Sequence, residues 1–486
     1  MDSNQRSLLA QLSGRDLPGQ LRALGALPAR LGWSAYLAAQ VRGQARIPFR
    51  PSDAIARRRD DRVQQIVLHA ARTVPYYREL FRRVGLSPTD FRTADDLARL
   101  PILEREDVQR DPDAFRSTEF PPDRCLRLSS GGSTGTPVVV WHNLAAVLQN
   151  AAHGERERSI YARLIGRSFG YRELVLGPLT GIARRVQQVT TTRSLLPNRL
   201  QIQRRFHSLL DPLDDAIRLM DEFQPDLVQG HGSYLALLFT ALERRGVAFH
   251  HPRALSFNSD PMSGPARELI EGRFGIPVFS TYQAVEAFKI GFECDRGRGL
   301  HLNDDLYPLR LVDPDGHSLP VGEVGDVVVS NLVNRASVLL NYRIGDRAVA
   351  DPHPCPCGRS LPLLAHLEGR RGETIRAADG REFSPIGLES AFWTELQSTR
   401  LYQVVHLTPD TLTWRIVPGI AADRDALRTA LLTRCRVLFG DSIAAEIEFV
   451  DDVTRTASGK ARRLITQSPD LRLPALSQPP GDRAFS

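Results

Sequence analysis

Residues Ser129 to Pro137 read Ser-Ser-Gly-Gly-Ser-Thr-Gly-Thr-Pro and run directly into Val138-Val139-Val140-Trp141-His142. So dense a run of small and hydroxyl residues excludes a helix or the middle of a strand. Its glycines let the backbone approach a ligand closely, while hydroxyls and free N–H groups supply donors. A polyphosphate needs that combination. The Gly-x4-Gly-Lys-Ser/Thr pattern of a P-loop is absent, so any phosphate cradle here is of another kind. The β-branched run behind it predicts a buried strand that anchors the loop. A flexible Gly/Ser linker is the competing reading. The two are separated by whether the rest of the chain supplies partners for a nucleotide.

A second cluster of chemistry-bearing residues is rich in thiols. Cys355-x-Cys357 lies in a Pro/Gly-rich turn, and Cys294 pairs in sequence with His301. Three thiolates and an imidazole make a closed tetrahedral Zn²⁺ site, which is structural because no position stays open. His353 competes as the fourth ligand. Cys125 and Cys435 read as plain core residues. Five cysteines are too few for a disulfide framework.

The elements that must hold these groups follow from periodicity. Apolar residues at helical spacing from Arg62 to Gly85, interrupted by Pro75, predict two short helices, and Leu103–Val108 continues helically toward the glycine-rich loop. Beyond it, helices (143–164, 212–223, 233–245, 264–274) alternate with strands (173–177, 226–229, 253–258, 277–282), which predicts an α/β core with largely parallel pairing. Residues 322–332 and 338–343 look more antiparallel. Near Gly369 the pattern restarts: Ser384-Pro385 caps a helix to about Leu396, strands follow at 402–407 and 411–417, then a helix at 421–439 and a strand at 445–450. A hydrophobic fraction of 42% and a charged fraction of 24% are those of an ordinary globular chain. The net charge of +7 is spread along the chain rather than gathered in a basic helix, so nucleic acid is not an expected partner. No apolar run approaches the ~18 residues of a membrane span, and the N-terminus lacks a signal-peptide pattern. The expected compartment is the cytoplasm, without membrane association.

Further loops at strand ends line up in order behind the glycine-rich stretch. They are Asn258-Ser259-Asp260-Pro261, Tyr282-Gln283-Ala284-Val285-Glu286, Asn341-Tyr342-Arg343-Ile344-Gly345-Asp346, Gly369-Arg370-Arg371-Gly372-Glu373 and Arg455-Thr456-Ala457-Ser458-Gly459-Lys460. Each is weak alone; their order is specific. With them the chain resembles the adenylate-forming superfamily of acyl-CoA synthetases, adenylation domains and luciferases. It is most similar to the phenylacetate–CoA ligase-like branch, through Thr73-Val74-Pro75-Tyr76-Tyr77-Arg78, Phe292-Glu293-Cys294, Gly299-Leu300-His301 and Cys355-Pro356-Cys357-Gly358-Arg359.

That resemblance implies an α/β fold: a large N-terminal adenylate-forming domain of mixed sheets and helices, plus a small mobile α+β C-terminal domain. The implied divisions are an N-terminal helical extension (1–60), an AMP-binding domain (61–369), a C-terminal lid (370–466) and a disordered proline-rich tail (467–486). It implies ATP-dependent adenylation of a carboxylic acid, with pyrophosphate release and transfer to a thiol of CoA or of a carrier-protein phosphopantetheine. An aryl acid fits the branch. Transfer to an amine or hydroxyl is the alternative, as is a degenerate, non-catalytic protein of this fold; a homodimer is a further expected partner state.

The implied roles fall residue by residue. Ser130, Gly131, Gly132, Ser133, Thr134 and Gly135 hold the β- and γ-phosphates, and Glu286 holds Mg²⁺. Tyr282 stacks on adenine, flanked by Ser259, Asp260 and Pro261, with Gln283 beside the acyl–adenylate junction. Asp346 accepts from the ribose hydroxyls, and Arg370 contacts the nucleotide at the domain junction. Lys460 neutralises charge at the α-phosphate. The acid pocket is expected beside His231, Gly232 and Tyr234 and near Ala284, where small residues leave room. Three positions depart from the family pattern: Thr136 stands for lysine, Gln283 for glycine, and Gly372-Glu373 for paired aspartates.

Overall fold

A computed structural model describes residues 17–130, 137–179, 181–195, 197–377, 380–408, 410–440, 443–456 and 459–466. The loop tip 131–136 and the tail 467–486 lie outside the described residues. So the expectations for Gly131, Gly132, Ser133, Thr134 and Gly135, and for a disordered tail, concern positions the structure leaves undescribed.

The glycine-rich stretch joins two strands of a hairpin, β1 (Cys125–Ser129) and β2 (Val139–Asn143), paired antiparallel so that Ser129 faces Val139. Val138 and Val140 are fully buried, as the apolar run predicts. The parallel core consists of β3 (Arg172–Leu176), β4 (Gln203–His207), β5 (Leu227–His231), β6 (Ala254–Asn258) and β7 (Val278–Ala284). The next strands are β8 (Phe288–Glu293), β9 (Leu300–Leu302), β10 (Leu309–Val312), β11 (Val324–Val329), β12 (Tyr342–Asp351) and β13 (Leu363–Arg370).

All eleven from β3 to β13 form one sheet, ordered β10-β11-β12-β13-β9-β8-β7-β6-β5-β3-β4. From β4 to β7 the pairing is parallel, and from β7 to β10 it is antiparallel. Pairing is therefore parallel only where helices cross over: the expectation of a largely parallel core holds for β3, β5, β6 and β7, the strands on which it was based, while six of the sheet's ten pairings are antiparallel. β7 is the joint between the halves. β4, with the sequence Gln-Arg-Arg-Phe-His, escaped sequence reading because an edge strand needs no apolar alternation. β12 also begins later and runs further than the apolar stretch at 338–343 suggests, so Asp346 sits within a strand rather than after one.

The C-terminal unit has its own four-stranded sheet. β16 (Thr399–Thr408) and β17 (Thr411–Pro418) pair antiparallel, flanked in parallel by β19 (Leu464–Thr466) and β18 (Ala444–Phe449); a short hairpin, β14 (Ile375–Arg376) and β15 (Glu382–Phe383), precedes them. Helix Pro385–Ala391 starts as the sequence predicts: the Ser384 hydroxyl accepts from Gly387 N at 3.0 Å, with Pro385 at the first turn. Helix Arg424–Phe439 is capped by Asp423, whose carboxylate accepts from the amides of Asp425 and Ala426. Trp414, Phe392, Phe439 and Leu431 fill the core between these helices and the sheet. This is the large-plus-small α/β architecture expected from the resemblance. Among the described residues no helix is long and apolar enough to cross a membrane.

Candidate active site

The turn after β7 is the most tightly supported segment of the cleft. Phe288 has φ of 53°, a conformation that a bulky side chain keeps only when its surroundings impose it. Four side chains from distant segments do so. The buried His142 ring donates to the Val285 carbonyl at 2.9 Å, and Asn331 Nδ2 donates to the Glu286 carbonyl at 2.7 Å. The Glu286 carboxylate accepts from Arg105 at 3.4 Å and from the Tyr342 hydroxyl at 3.3 Å. Burial brings His142 down to about 3, so it stays a neutral donor at any working pH.

Arg105 is the residue that sequence reading missed. It opens a short helix (Arg105–Arg110) whose approach is pinned to β12: Leu103 N donates to Asn341 O and Arg343 N to Leu103 O, both at 3.0 Å. Its other guanidinium nitrogen donates to Ser130 Oγ at 2.8 Å. Ser130 also accepts from Val138 N at 2.9 Å, closing the base of the glycine-rich loop. One cation thus ties the loop to Glu286. Its partners lie 25 and 181 residues away, so no local spacing announces it.

Three sequence-selected residues meet on the opposite wall. The Tyr282 hydroxyl donates to Asp346 Oδ2 at 2.7 Å, and Arg370 Nε donates to Asp346 Oδ1 at 3.0 Å. The Asp346 carboxylate raises Arg370 further, and burial followed by Asp346 raises Tyr282, so both remain protonated donors. Lys460 lies in the same cleft, where burial and then Arg370 lower its pKa while Asp260, Asp346 and Glu286 oppose the shift. The chain has only two lysines. The other, Lys289, is ion-paired with Glu157.

The loop bearing Lys460 is held down by Asp260. Its buried carboxylate accepts from Ser233 N at 3.1 Å, Ser233 Oγ at 2.6 Å and Ala461 N at 3.0 Å. Arg455 donates to Ser233 Oγ at 2.9 Å and lies 6.0 Å from the Tyr234 ring centre. Ser259 is left-handed at φ 73°, its hydroxyl donating to Asn258 Oδ1. Gln283 turns its carboxamide to Thr281 Oγ1 at 3.2 Å, and Ala284 ends β7 beside it. Glu373 accepts from Arg462 at 2.9 Å, and Gly372 takes the left-handed φ of 79° that glycine allows.

The expectation that Gly232 leaves room for an acid is corrected. A Cβ there would meet Met262 N at 2.5 Å, Pro261 C at 2.6 Å and Asp260 O at 2.7 Å. The missing side chain admits the β6 loop backbone rather than a ligand. His231 and Tyr234 are buried on either side of it.

The thiol cluster assembles at the far end of β8 and β13, away from Glu286 and Arg370. Cys294 Sγ is 3.7 Å from Cys355 Sγ, Cys357 Sγ is 3.3 Å from His301 Nε2, and all four ligand atoms lie within 4.8 Å of one another. Two sulfurs each ~2.3 Å from one tetrahedral zinc lie roughly 3.8 Å apart, whereas a disulfide requires ~2.05 Å. The donor set therefore fits Zn²⁺. Burial, then Arg359, bring His301 down to about 4, keeping the imidazole neutral as a ligand must be. His353 is exposed and pairs with Asp351 at 3.1 Å, so it is not the fourth ligand. Cys435 is core, and Cys125 is half-buried.

The fold is a large α/β unit followed by a small α+β unit, and the small unit carries Lys460 to where it feels the charges of Arg370, Asp346 and Glu286. No family model matches the chain. It is similar to the phenylacetate-coenzyme A ligase of Thermus thermophilus, with 24% identity over 373 residues covering 74% of this chain and 80% of that one. Against the Pseudomonas putida phenylacetate-coenzyme A ligase the identity is 28% over 368 residues, covering 72% and 78%. Among solved structures, 2-hydroxyisobutyryl-CoA ligase in the postadenylation state, in complex with R3-HIB-AMP, has a TM-score of 0.69 at 18% identity, covering 85% of this chain and 89% of that one. The same ligase in its thioesterification state gives 0.56. The resemblance to the phenylacetate–CoA ligase-like branch thus extends over most of the chain.

Proposed function

We propose that this chain activates a carboxylic acid with ATP and transfers the acyl group to a thiol, of CoA or of a carrier-protein phosphopantetheine. The observation that carries this reading is the meeting of Glu286, Asp346, Arg370 and Lys460, drawn from separate segments, around one cleft. In the first half-reaction a substrate carboxylate oxygen bonds to the α-phosphorus, and the bond to the bridging oxygen breaks to release pyrophosphate. In the second, the thiol sulfur bonds to the acyl carbon, its proton is lost, and AMP leaves. Catalysis of such transfers is chiefly positioning and charge stabilisation. Lys460 supplies positive charge at the α-phosphate, Asp346 accepts from the ribose, and Arg370 steadies Asp346. Ser130 and the following loop hold the distal phosphates, with Arg105 beside them. Mg²⁺, when bound, neutralises triphosphate charge, and Glu286 is its protein ligand. Cys294, His301, Cys355 and Cys357 hold a structural Zn²⁺.

Pyrophosphate release across a panel of aryl and aliphatic acids tests the first half-reaction, and mass analysis of the product separates thioester from amide or ester. Lys460→Ala should lower acid-dependent pyrophosphate release by ~10³-fold while ATP binding stays detectable. Full activity in that variant would sink the assignment.

A further inference from the structure

His231 and Tyr234 leave a question that the proposed reaction does not answer. Both are almost fully buried, at 4% and 3% exposure, yet His231 Nδ1 and the Tyr234 hydroxyl have no hydrogen-bond partner. Buried polar atoms are ordinarily satisfied, and each exception needs a cause. His231 ends β5 and Tyr234 lies in the first turn of the helix that follows, Gly232–Arg245. Above them lies the loop that carries Lys460.

The protonation states are fixed by the surroundings. Burial brings His231 down to about 4, although Asp260 acts the other way, and the ring hydrogen-bonds to the Gly459 backbone. A neutral imidazole that donates to a carbonyl through one nitrogen keeps a lone pair on the other. Burial takes Tyr234 up to about 12, so its phenol keeps its proton. Both side chains are therefore neutral, and His231 Nδ1 and the Tyr234 hydroxyl are the atoms left without a hydrogen-bond partner. His231 Nδ1 is an acceptor, and the Tyr234 hydroxyl is able to donate or accept.

Its place in the sheet points to the acid. Tyr282, Asp346 and Arg370 lie on β7, β12 and β13. β5 lies beyond β6 from that wall, and Asp260, on the loop after β6, accepts from Ala461 N, the residue after Lys460, at 3.0 Å. A ligand joined at the α-phosphate near Lys460 thus extends its acyl part toward β5 and its nucleoside toward β12. We infer that the acid carries a hydroxyl or amino substituent, which hydrogen-bonds to His231 Nδ1 and the Tyr234 hydroxyl, and that unsubstituted acids are poorer substrates. This rests on the proposed acid activation.

The test uses the full chain and matched acids: phenylacetate against its 3- and 4-hydroxy forms, and benzoate against 2- and 4-aminobenzoate, comparing kcat/KM for pyrophosphate release. In at least one pair the substituted acid should lead by about tenfold or more, because the unsubstituted one strands buried polar atoms. Tyr234→Phe, which keeps the ring and its packing, should shrink that ratio toward one. His231→Phe should do likewise, and His231→Gln, which restores an acceptor, should recover part of it. Equal or better use of the unsubstituted acid in every pair, or a ratio unmoved by Tyr234→Phe, overturns the inference while leaving acid activation standing. Release with no acid at all overturns the activation reading and this inference with it.

Discussion

At the scale of residues, Arg105 ties the base of the glycine-rich loop to Glu286. The resemblance implies lysine at the position of Thr136, and Arg105 brings a guanidinium to Ser130 and Glu286 from outside the loop. We expect Arg105→Ala to raise KM for ATP about tenfold or more, with a much smaller change in AMP affinity, measured by titration calorimetry. Equal losses for both nucleotides would place Arg105 away from the distal phosphates. Lys460 offers a chemical handle, since the only other lysine is ion-paired with Glu157. With its pKa lowered by burial and Arg370, a larger fraction of its amine is neutral at a given pH than for an ordinary lysine. An amine reagent should therefore label Lys460 at a lower pH than free lysine, and ATP should protect it; peptide mass mapping reads both.

At the scale of elements, two junctions depend on what is absent or assembled. Gly232 admits the Asp260–Met262 backbone, which cannot yield like a flexible side chain. Gly232→Ala should destabilise the fold by ~1–3 kcal/mol, read by denaturant titration. The thiol cluster fastens the loop after β8 to the loop before β13, both short of apolar residues. Stoichiometric zinc is expected by elemental analysis, with its loss and a lower Tm in Cys355→Ser. Native protein free of zinc would remove the assignment.

At the scale of the whole molecule, buried ion pairs tie remote segments together. Asp305 receives Arg156 at 2.6 Å and Arg62 at 2.9 Å, joining helix Ser52–Thr73 and helix Glu155–Ile165 to the sheet. Burial pushes the Asp305 carboxyl up, but Arg156, Arg62 and Arg58 outweigh it and the net shift is downward. A depressed carboxylate stabilises the fold above its unfolded pKa near 4, and that stability is lost as pH falls below it. Asp305→Asn should cost ~3–5 kcal/mol at pH 7 by leaving buried guanidinium charge unmatched, and should flatten the acid limb of the stability profile. Glu243, which accepts from Arg273 at 2.9 Å and from Arg400 at 3.0 Å, ties β16 of the C-terminal unit to helix Gly232–Arg245.

The sequence by itself determined the strand–helix alternation, the buried strand that anchors the glycine-rich loop and the capped helix after Ser384. These are local signals: periodicity, turn chemistry and ordered short motifs. It also placed three thiols and His301 together, because few other residue types could share their chemistry. Only the tertiary structure decided the rest. Parallel or antiparallel pairing is set by which strand lies beside which, and an apolar run reads alike in either. Arg105, His142, Asn331 and Tyr342 act on one turn from segments far apart in the chain, which no window of sequence can register. Gly232 shows the same limit in miniature: the absence of a side chain was legible, but whether ligand or backbone fills the space depends on a loop some thirty residues away.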